Sequence, residues 1–252
     1  MAAVLAAAGT GSRAAVSGGS GLFKQYWLLG GVPLLLLPVT VLQAYRGIGK
    51  IVVVVPARDL RMVGELLAEK ARGAGRRGSA EITVVAGGDT REQSVERGVR
   101  ETEGFDYVVI HDAARPFLTP ELVGRALAAA YKVGAAVCAV PATDTVKEVR
   151  EGRVVRTLPR EDVWLAQTPQ VFRRDVLMEA YREAAAGARR LGAGGDRGAG
   201  ERATDEAVLV ERSGAEVAVV EGSPDNLKVT GPEDWERAQA VFERLRRKGW
   251  PT

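Results

Sequence analysis

The sequence predicts an α/β fold built on a mostly parallel central sheet, and three observations carry that prediction. Short apolar runs rich in β-branched residues recur at 3–7, 51–55, 82–86, 107–110 and 135–140. They continue without polar alternation, as strands covered on both faces do. Helical patterns at 38–45, 60–72, 91–103 and 120–132 separate them, and strand–helix–strand repetition implies right-handed crossovers between parallel strands. With 46% hydrophobic and 27% charged residues among 252, the chain has apolar material for one sizeable core, and a single domain over 1–252 is expected.

The helix starts are marked by their chemistry. Thr90 with Gln93 forms a capping-box pattern, and Thr119-Pro120 places a cap before a first-turn proline. After Pro141 the pattern changes: strand-like runs at 145–150 and 153–158 flank Glu151-Gly152, a two-residue hairpin turn. Such a hairpin has little core of its own and is expected to pack on something else. A helix at 175–186 follows, then a Gly/Arg-rich stretch at 187–202, a helix at 204–212, a strand at 216–220 and an amphipathic helix at 232–247.

Two apolar segments invite other readings. Residues 1–8 (MAAVLAAA) lack a basic leader and are too short for a secretory signal, so they are read as a buried first strand. Residues 26–45 are nearly uncharged and as long as a membrane span, but Gly30-Gly31, Pro33 and Pro38 divide them into a turn and a buried helix. A protein with no membrane contact is expected. The single Cys138 excludes an internal disulfide and a multi-cysteine zinc site, and suits a reducing cytoplasm. A net charge of +3 matches phosphorylated small molecules better than nucleic acid, which asks for a dense basic face.

The candidate chemistry lies where strands end. The first strand runs into Ala7-Ala8-Gly9-Thr10-Gly11-Ser12-Arg13, whose glycines let backbone amides approach phosphate oxygens. Gly9, Gly11 and Ala14 also satisfy a dinucleotide fingerprint, but its acidic partner about 20 positions on is missing, and Asp59 lies far beyond. Arg13 and Lys24 beside the glycine turn suit a triphosphate instead. His111-Asp112-Ala113-Ala114-Arg115-Pro116 follows the strand at 107–110. A carboxylate at such a strand end can hold magnesium bridged to phosphates, and Arg115 offers a planar fork for a second phosphate. His111, the only histidine, has no nucleophile motif beside it and is read as structural. Gly88, Asp89 and Ser94 open the third helical pattern, Thr204 precedes another, and Asp225 and Lys228 precede the last.

Together these segments resemble the 2-C-methyl-D-erythritol 4-phosphate cytidylyltransferase family. AAAGTGSR (6–13), KQY (24–26), GGDTREQSV (87–95), HDAARP (111–116), PATDTVK (141–147), TPQ (168–170), ATDEA (203–207) and DNLKVT (225–230) occur in that order. The chain departs in Phe23, in a longer segment before Lys24, in an apolar helix start at 34–41 and in an extended stretch before ATDEA. The resemblance implies a Rossmann-like nucleotidyltransferase domain with a protruding β-hairpin arm, at about 141–165, that interlocks a homodimer. It assigns Ala7, Ala8, Gly9, Gly11, Gly88, Asp89, Ser94, Asp112 and Ala113 to CTP. Arg13, Lys24 and Lys228 surround the phosphates, and Asp112, assisted by Asp225, holds Mg2+. Arg115, Thr145, Arg160, Thr168 and Thr204 bind the acceptor, Thr145 and Arg160 coming from the other subunit's arm. The implied reaction joins CTP to a polyol phosphate and releases pyrophosphate. The alternatives are a cytidylyltransferase for another polyol such as ribitol 5-phosphate, an NAD-type dehydrogenase suggested by the glycine loop alone, and a non-catalytic nucleotide-binding module.

Overall fold

In the computed structural model, residues 1–9, 23–73, 80–190 and 203–250 are described. In chain order the elements are β1 (Ala2–Ala6), β2 (Leu28–Leu29), β3 (Val32–Pro33), α1 (Leu36–Ala44), β4 (Lys50–Val55), α2 (Leu60–Gly73) and β5 (Glu81–Ala86). Then come α3 (Arg91–Arg100), β6 (Tyr107–Asp112), α4 (Pro120–Val133), β7 (Ala135–Pro141), β8 (Lys147–Arg150), β9 (Arg153–Thr157) and β10 (Trp164–Arg173). The chain closes with α5 (Arg174–Arg190), α6 (Glu206–Arg212), β11 (Ala218–Glu221) and α7 (Pro232–Arg247).

Seven strands form the central sheet in the order β11-β7-β10-β6-β1-β4-β5. All its pairings are parallel except those of β10, which runs antiparallel between β6 and β7. Strand alternation divides the buried residues between two faces. Ala3, Leu5, Ile51, Val53 and Val55 join a core with α1, α2 and α4, whereas Val4, Val52, Val54, Val108 and Ile110 pack with α3, α5 and α6. The Rossmann-like three-layer arrangement explains the unbroken apolar strands, since both faces leave water. The expected membrane-like segment is a turn plus α1. That helix is apolar all round because Leu36 and Val39 face the sheet core while Leu37 joins a smaller cluster with Phe117 and Phe242 of α7. Among the described residues no helix is long and apolar enough to cross a membrane.

Thr90 and Thr119 cap α3 and α4 as expected, accepting from Gln93 N–H at 3.1 Å and Leu122 N–H at 3.3 Å. The Gln93 side chain, however, reaches back to the Asp89 N–H at 2.9 Å, one residue earlier than in the standard box. β8 and β9 form their own two-stranded sheet across Glu151 (φ 48) and Gly152 (φ 75), the two positive values a type I′ turn needs. Every residue of β9 is exposed.

β10 is the strand that the sequence pattern does not reveal. Pro169 and its polar neighbours argue against a central strand. The sheet accommodates them because the pairing to β7 shifts register between Ala166 and Gln170, a bulge that carries Thr168 out of the regular ladder.

α3 lies tight against the sheet. A Cβ on Gly98 would stand 2.6 Å from Val4 Cγ1 and 2.7 Å from Val54 Cγ2. Gly98→Ala is therefore expected to lower unfolding free energy by about 1–3 kcal/mol, the usual cost of overpacking. An unchanged urea midpoint would show that the helix moves away freely.

Candidate active site

Strand order places the site. From β1 the chain proceeds outward through β4 to β5, then returns to β6 on the other side of β1. The carboxyl ends of β1 and β6 thus border the crevice where ligands bind in open α/β sheets. Ala6 pairs with Asp112 in register across this edge. A cavity of about 560 Å³ opens there, within the range of small-molecule sites. Its lining includes Ala7, Ala8, Gly9, Lys24, Gly88, Asp89, Ser94, Asp112, Ala113 and Lys228, gathered from loops far apart in sequence.

Asp112 is the centre of this rim, with only 7% of its surface exposed. Its Oδ1 accepts from Arg91 Nε (3.3 Å) and Nη2 (3.2 Å), and its Oδ2 from Lys228 Nζ (2.7 Å). Burial works against its charge, but Arg91 and then Lys228 outweigh burial and hold the carboxyl well below its ordinary range. Arg91 also grips Glu206, the first residue of α6, through Nη1 at 3.0 and 2.9 Å to the two carboxylate oxygens. Burial pushes the Glu206 carboxyl up to about 7, against the pull of Arg91.

Local packing aims each cation. Gln25 is buried and donates to the Ala7 carbonyl at 3.2 Å, while the Tyr26 hydroxyl donates to Asp59 at 2.9 Å. This pins the turn that presents Lys24, and Asp59 serves it rather than a ribose. Lys228 is aimed by Asn226, whose buried amide donates to Gln167 Oε1 (3.2 Å) and to the Thr168 carbonyl (2.7 Å), and by Val229 N–H on the Ala114 carbonyl (2.8 Å). The glycine loop at 87–88 is held by Gly88 N–H on Ser94 Oγ (3.0 Å), Ser94 Oγ on the Thr90 carbonyl (2.8 Å) and Arg97 on the Gly87 carbonyl (2.6 Å).

His111 is fully buried, and its Nε2–H donates to the Arg115 carbonyl at 2.9 Å. A carbonyl only accepts, so Nδ1 accepts from the Thr168 hydroxyl (3.0 Å), which in turn accepts from the Asp112 N–H (3.0 Å). This relay makes His111 structural and explains the burial of Thr168. Burial lowers the His111 pKa from 6.5 to about 4.

Among the described residues, the remaining candidates do not line the cavity. Arg115 donates to the Asn226 carbonyl at 2.8 Å, beside the rim. Thr145 and Arg160 are exposed around the hairpin, Arg160 bonding the Thr143 carbonyl at 3.1 Å, and Thr204 is exposed just before α6. Asp225 pairs with Arg244 and does not line the cavity. Gly11 and Arg13 fall outside the described residues. Sequence reading did not single out Arg91, Glu206, Gln25 or Asn226. Each sat inside a quoted motif, and the signal overlooked was a charged or amide residue in a segment about to be buried.

Fold and rim together define an α/β nucleotidyltransferase-type domain, with cations and one ionised carboxylate gathered at the switch point of the sheet. Comparison with known proteins narrows this class. The family model described as IspD: 2-C-methyl-D-erythritol 4-phosphate cytidylyltransferase matches residues 1–244, and the chain belongs to this family. A 2-C-methyl-D-erythritol 4-phosphate cytidylyltransferase of Geobacter metallireducens is 41% identical over 246 residues, covering 96% of this chain and 97% of that protein. A bifunctional IspD/IspF enzyme of Anaeromyxobacter sp. (strain Fw109-5) is 45% identical over 247 residues, covering 96% of this chain. The chain spans 57% of that bifunctional protein's length and 56% of a second one's, from Anaeromyxobacter dehalogenans. The crystal structure of the 2-C-methyl-D-erythritol 4-phosphate cytidylyltransferase from Thermus thermophilus superimposes with a TM-score of 0.68 at 32% identity, covering 96% of this chain and 98% of that one.

Because the folded-state pKa of His111 lies below its unfolded value, acid protonates the unfolded chain first. Stability contributed by neutral His111 is present above about pH 6.5 and is lost as pH falls towards about 4. Over that window the stability advantage of wild type over His111→Asn is expected to shrink by about 3 kcal/mol. Urea titrations of both proteins at several pH values measure it, and a constant difference would show that the imidazole does not resist protonation.

Proposed function

We propose that the protein transfers the cytidylyl group of CTP to 2-C-methyl-D-erythritol 4-phosphate, releasing pyrophosphate, in the synthesis of isoprenoid precursors. The observation that carries this reading is the convergence of Asp112, Lys228, Arg91 and Lys24 on one cavity edged by two glycine loops, in a chain of this family. Ala7, Ala8, Gly9 and Gly88 line the cavity, which suits a nucleotide lying across the strand ends. Asp89 and Ser94 stand beside it, Ser94 shaping the loop through its own hydrogen bonds.

The acceptor's phosphate oxygen attacks the α-phosphorus of CTP in line with the leaving pyrophosphate. That oxygen is already ionised near neutral pH, so the reaction asks no general base of the protein. This agrees with a single histidine whose two ring nitrogens are both engaged. Lys24, Lys228 and Arg13 hold and neutralise the phosphate tail, and catalysis is chiefly positioning and charge stabilisation. The residues present fit magnesium. Asp112 is an ionised oxygen donor at the cavity wall, and magnesium commonly takes one or two carboxylates with phosphates and water completing its shell. Bound there, the cation would supply Lewis-acid polarisation of the phosphates. Asp112 lines the cavity and Asp225 does not, so the cation is assigned to Asp112.

Arg115, Thr168 and Thr204 form the acceptor side. Thr145 and Arg160 of one subunit serve the other's site in a homodimer joined through the hairpin arm, a reading supported by exposed Val149, Val154, Val155, Trp164 and Leu165. The single Cys138, buried and unpaired, agrees with a cytoplasmic location.

Lys24→Ala is expected to lower turnover by about 10²–10³-fold, the effect of deleting one preorganised charge, with little change in melting temperature. Pyrophosphate release with CTP compared with ATP, GTP and UTP, using methylerythritol phosphate and ribitol 5-phosphate as acceptors, tests the reaction itself. Activity confined to another nucleotide or acceptor would overturn it. Mixing inactive Lys24→Ala with inactive Arg160→Ala subunits is expected to restore part of the turnover once subunits exchange, and exchanged mixtures as dead as their parents would exclude a shared site.

A further inference from the structure

Glu206 is 1% exposed, and its first role cannot be capping, because Asp205 already caps α6 by accepting from Val208 N–H at 3.1 Å. Burying a carboxylate costs several kcal/mol unless a partner compensates it, and the partner here is Arg91. The contact geometry is asymmetric. One terminal nitrogen of Arg91, Nη1, meets both oxygens of Glu206, while Nε and Nη2 converge on Oδ1 of Asp112 alone. A guanidinium beside a carboxylate otherwise tends to pair fork to fork, with two parallel bonds to both oxygens. Such pairing would set Arg91 against Oδ2 of Asp112, which Lys228 holds at 2.7 Å. Glu206 therefore confines Arg91 to one side of Asp112.

We infer that Glu206 is a positioning residue for cytidylyl transfer: acting through Arg91, it keeps Oδ2 of Asp112 open to Lys228 and ties the α6 end of the site to the nucleotide side. This rests on the reaction proposed above. The tie has a second anchor, since Gln170 of β10 donates to Asp205 at 2.9 Å, two residues beyond Thr168. The α6 start is thus joined to α3 through Arg91 and to β10 through Gln170. Asp112 carries the charge at the centre of the rim, and Glu206 determines from which side that charge is met.

The test is steady-state pyrophosphate release by wild type, Glu206→Gln, Arg91→Lys and the double variant. Glu206→Gln keeps the side-chain shape but lets the guanidinium rotate. Its kcat is expected to fall by about 10²-fold, the loss that a misplacement of about 1 Å produces, with KM for CTP unchanged. Arg91→Lys, which removes the fork, falls at least as far, and the double variant is no slower than Arg91→Lys. Wild-type kcat in Glu206→Gln, or losses that multiply in the double variant, would overturn the positioning role. If Glu206→Gln does not fold, Glu206→Asp carries the test, because it keeps the charge and withdraws it by one methylene. Lowered kcat at constant KM then supports the role, and wild-type kcat overturns it. A wild-type protein that releases no pyrophosphate from CTP and the acceptor would sink the reaction itself, whereas an active wild type with an equally active Glu206→Gln sinks only the inference.

Discussion

A carboxylate buried at the end of a central strand constrains everything around it. Asp112 has left water almost completely, and an uncompensated charge there would cost several kcal/mol. Arg91 and Lys228 compensate it, and they come from a helix start 21 residues earlier and a turn 116 residues later. Each requires further order. Arg91 is held by Glu206, which fixes the start of α6, and Lys228 depends on the turn that Asn226 anchors to β10. Removing one partner of such a pair leaves a stranded charge, typically at a cost of about 3–5 kcal/mol. The same contacts that neutralise Asp112 therefore bring four loops to one rim.

The sheet makes that convergence possible. Its switch in direction beside β1 leaves a crevice between two strand ends, and both glycine-bearing loops and the Asp112 loop open into it. The antiparallel β10 contributes by irregularity. Its bulge turns Thr168 towards the backbone of Asp112 and the ring of His111, so the polar relay is completed inside the core instead of being left unsatisfied. His111 thereby stiffens the loop that carries Asp112 and Arg115 without entering the chemistry.

Much of this is legible in the sequence. The apolar runs of β1, β4, β5, β6 and β7 declared themselves because strands buried on both faces need no alternation, and α3 and α4 because threonine caps begin them. Lys24, Gly88, Ser94, Asp112 and Lys228 were readable as site residues because charge and glycine beside strand ends have few structural uses, and all five line one cavity. Arg91 and Glu206 were not. In a helix's first turn Glu206 reads as a dipole-favoured position and Arg91 as an ordinary solvated one, and only the three-dimensional approach of α3 to α6 buries them against each other.

The sequence by itself determined the layered α/β class, the hairpin turn at Glu151-Gly152 and the residue types assembled at the strand ends, because periodicity, turn chemistry and caps act over a few neighbouring residues. Tertiary structure alone decided that β10 enters the sheet despite Pro169, that Asp225 turns to Arg244 while Lys228 turns to Asp112, and that Glu206 is buried on Arg91. Those outcomes depend on which distant surfaces meet and how much water they exclude, and desolvation is a property of the assembled layers that no local stretch of chain encodes.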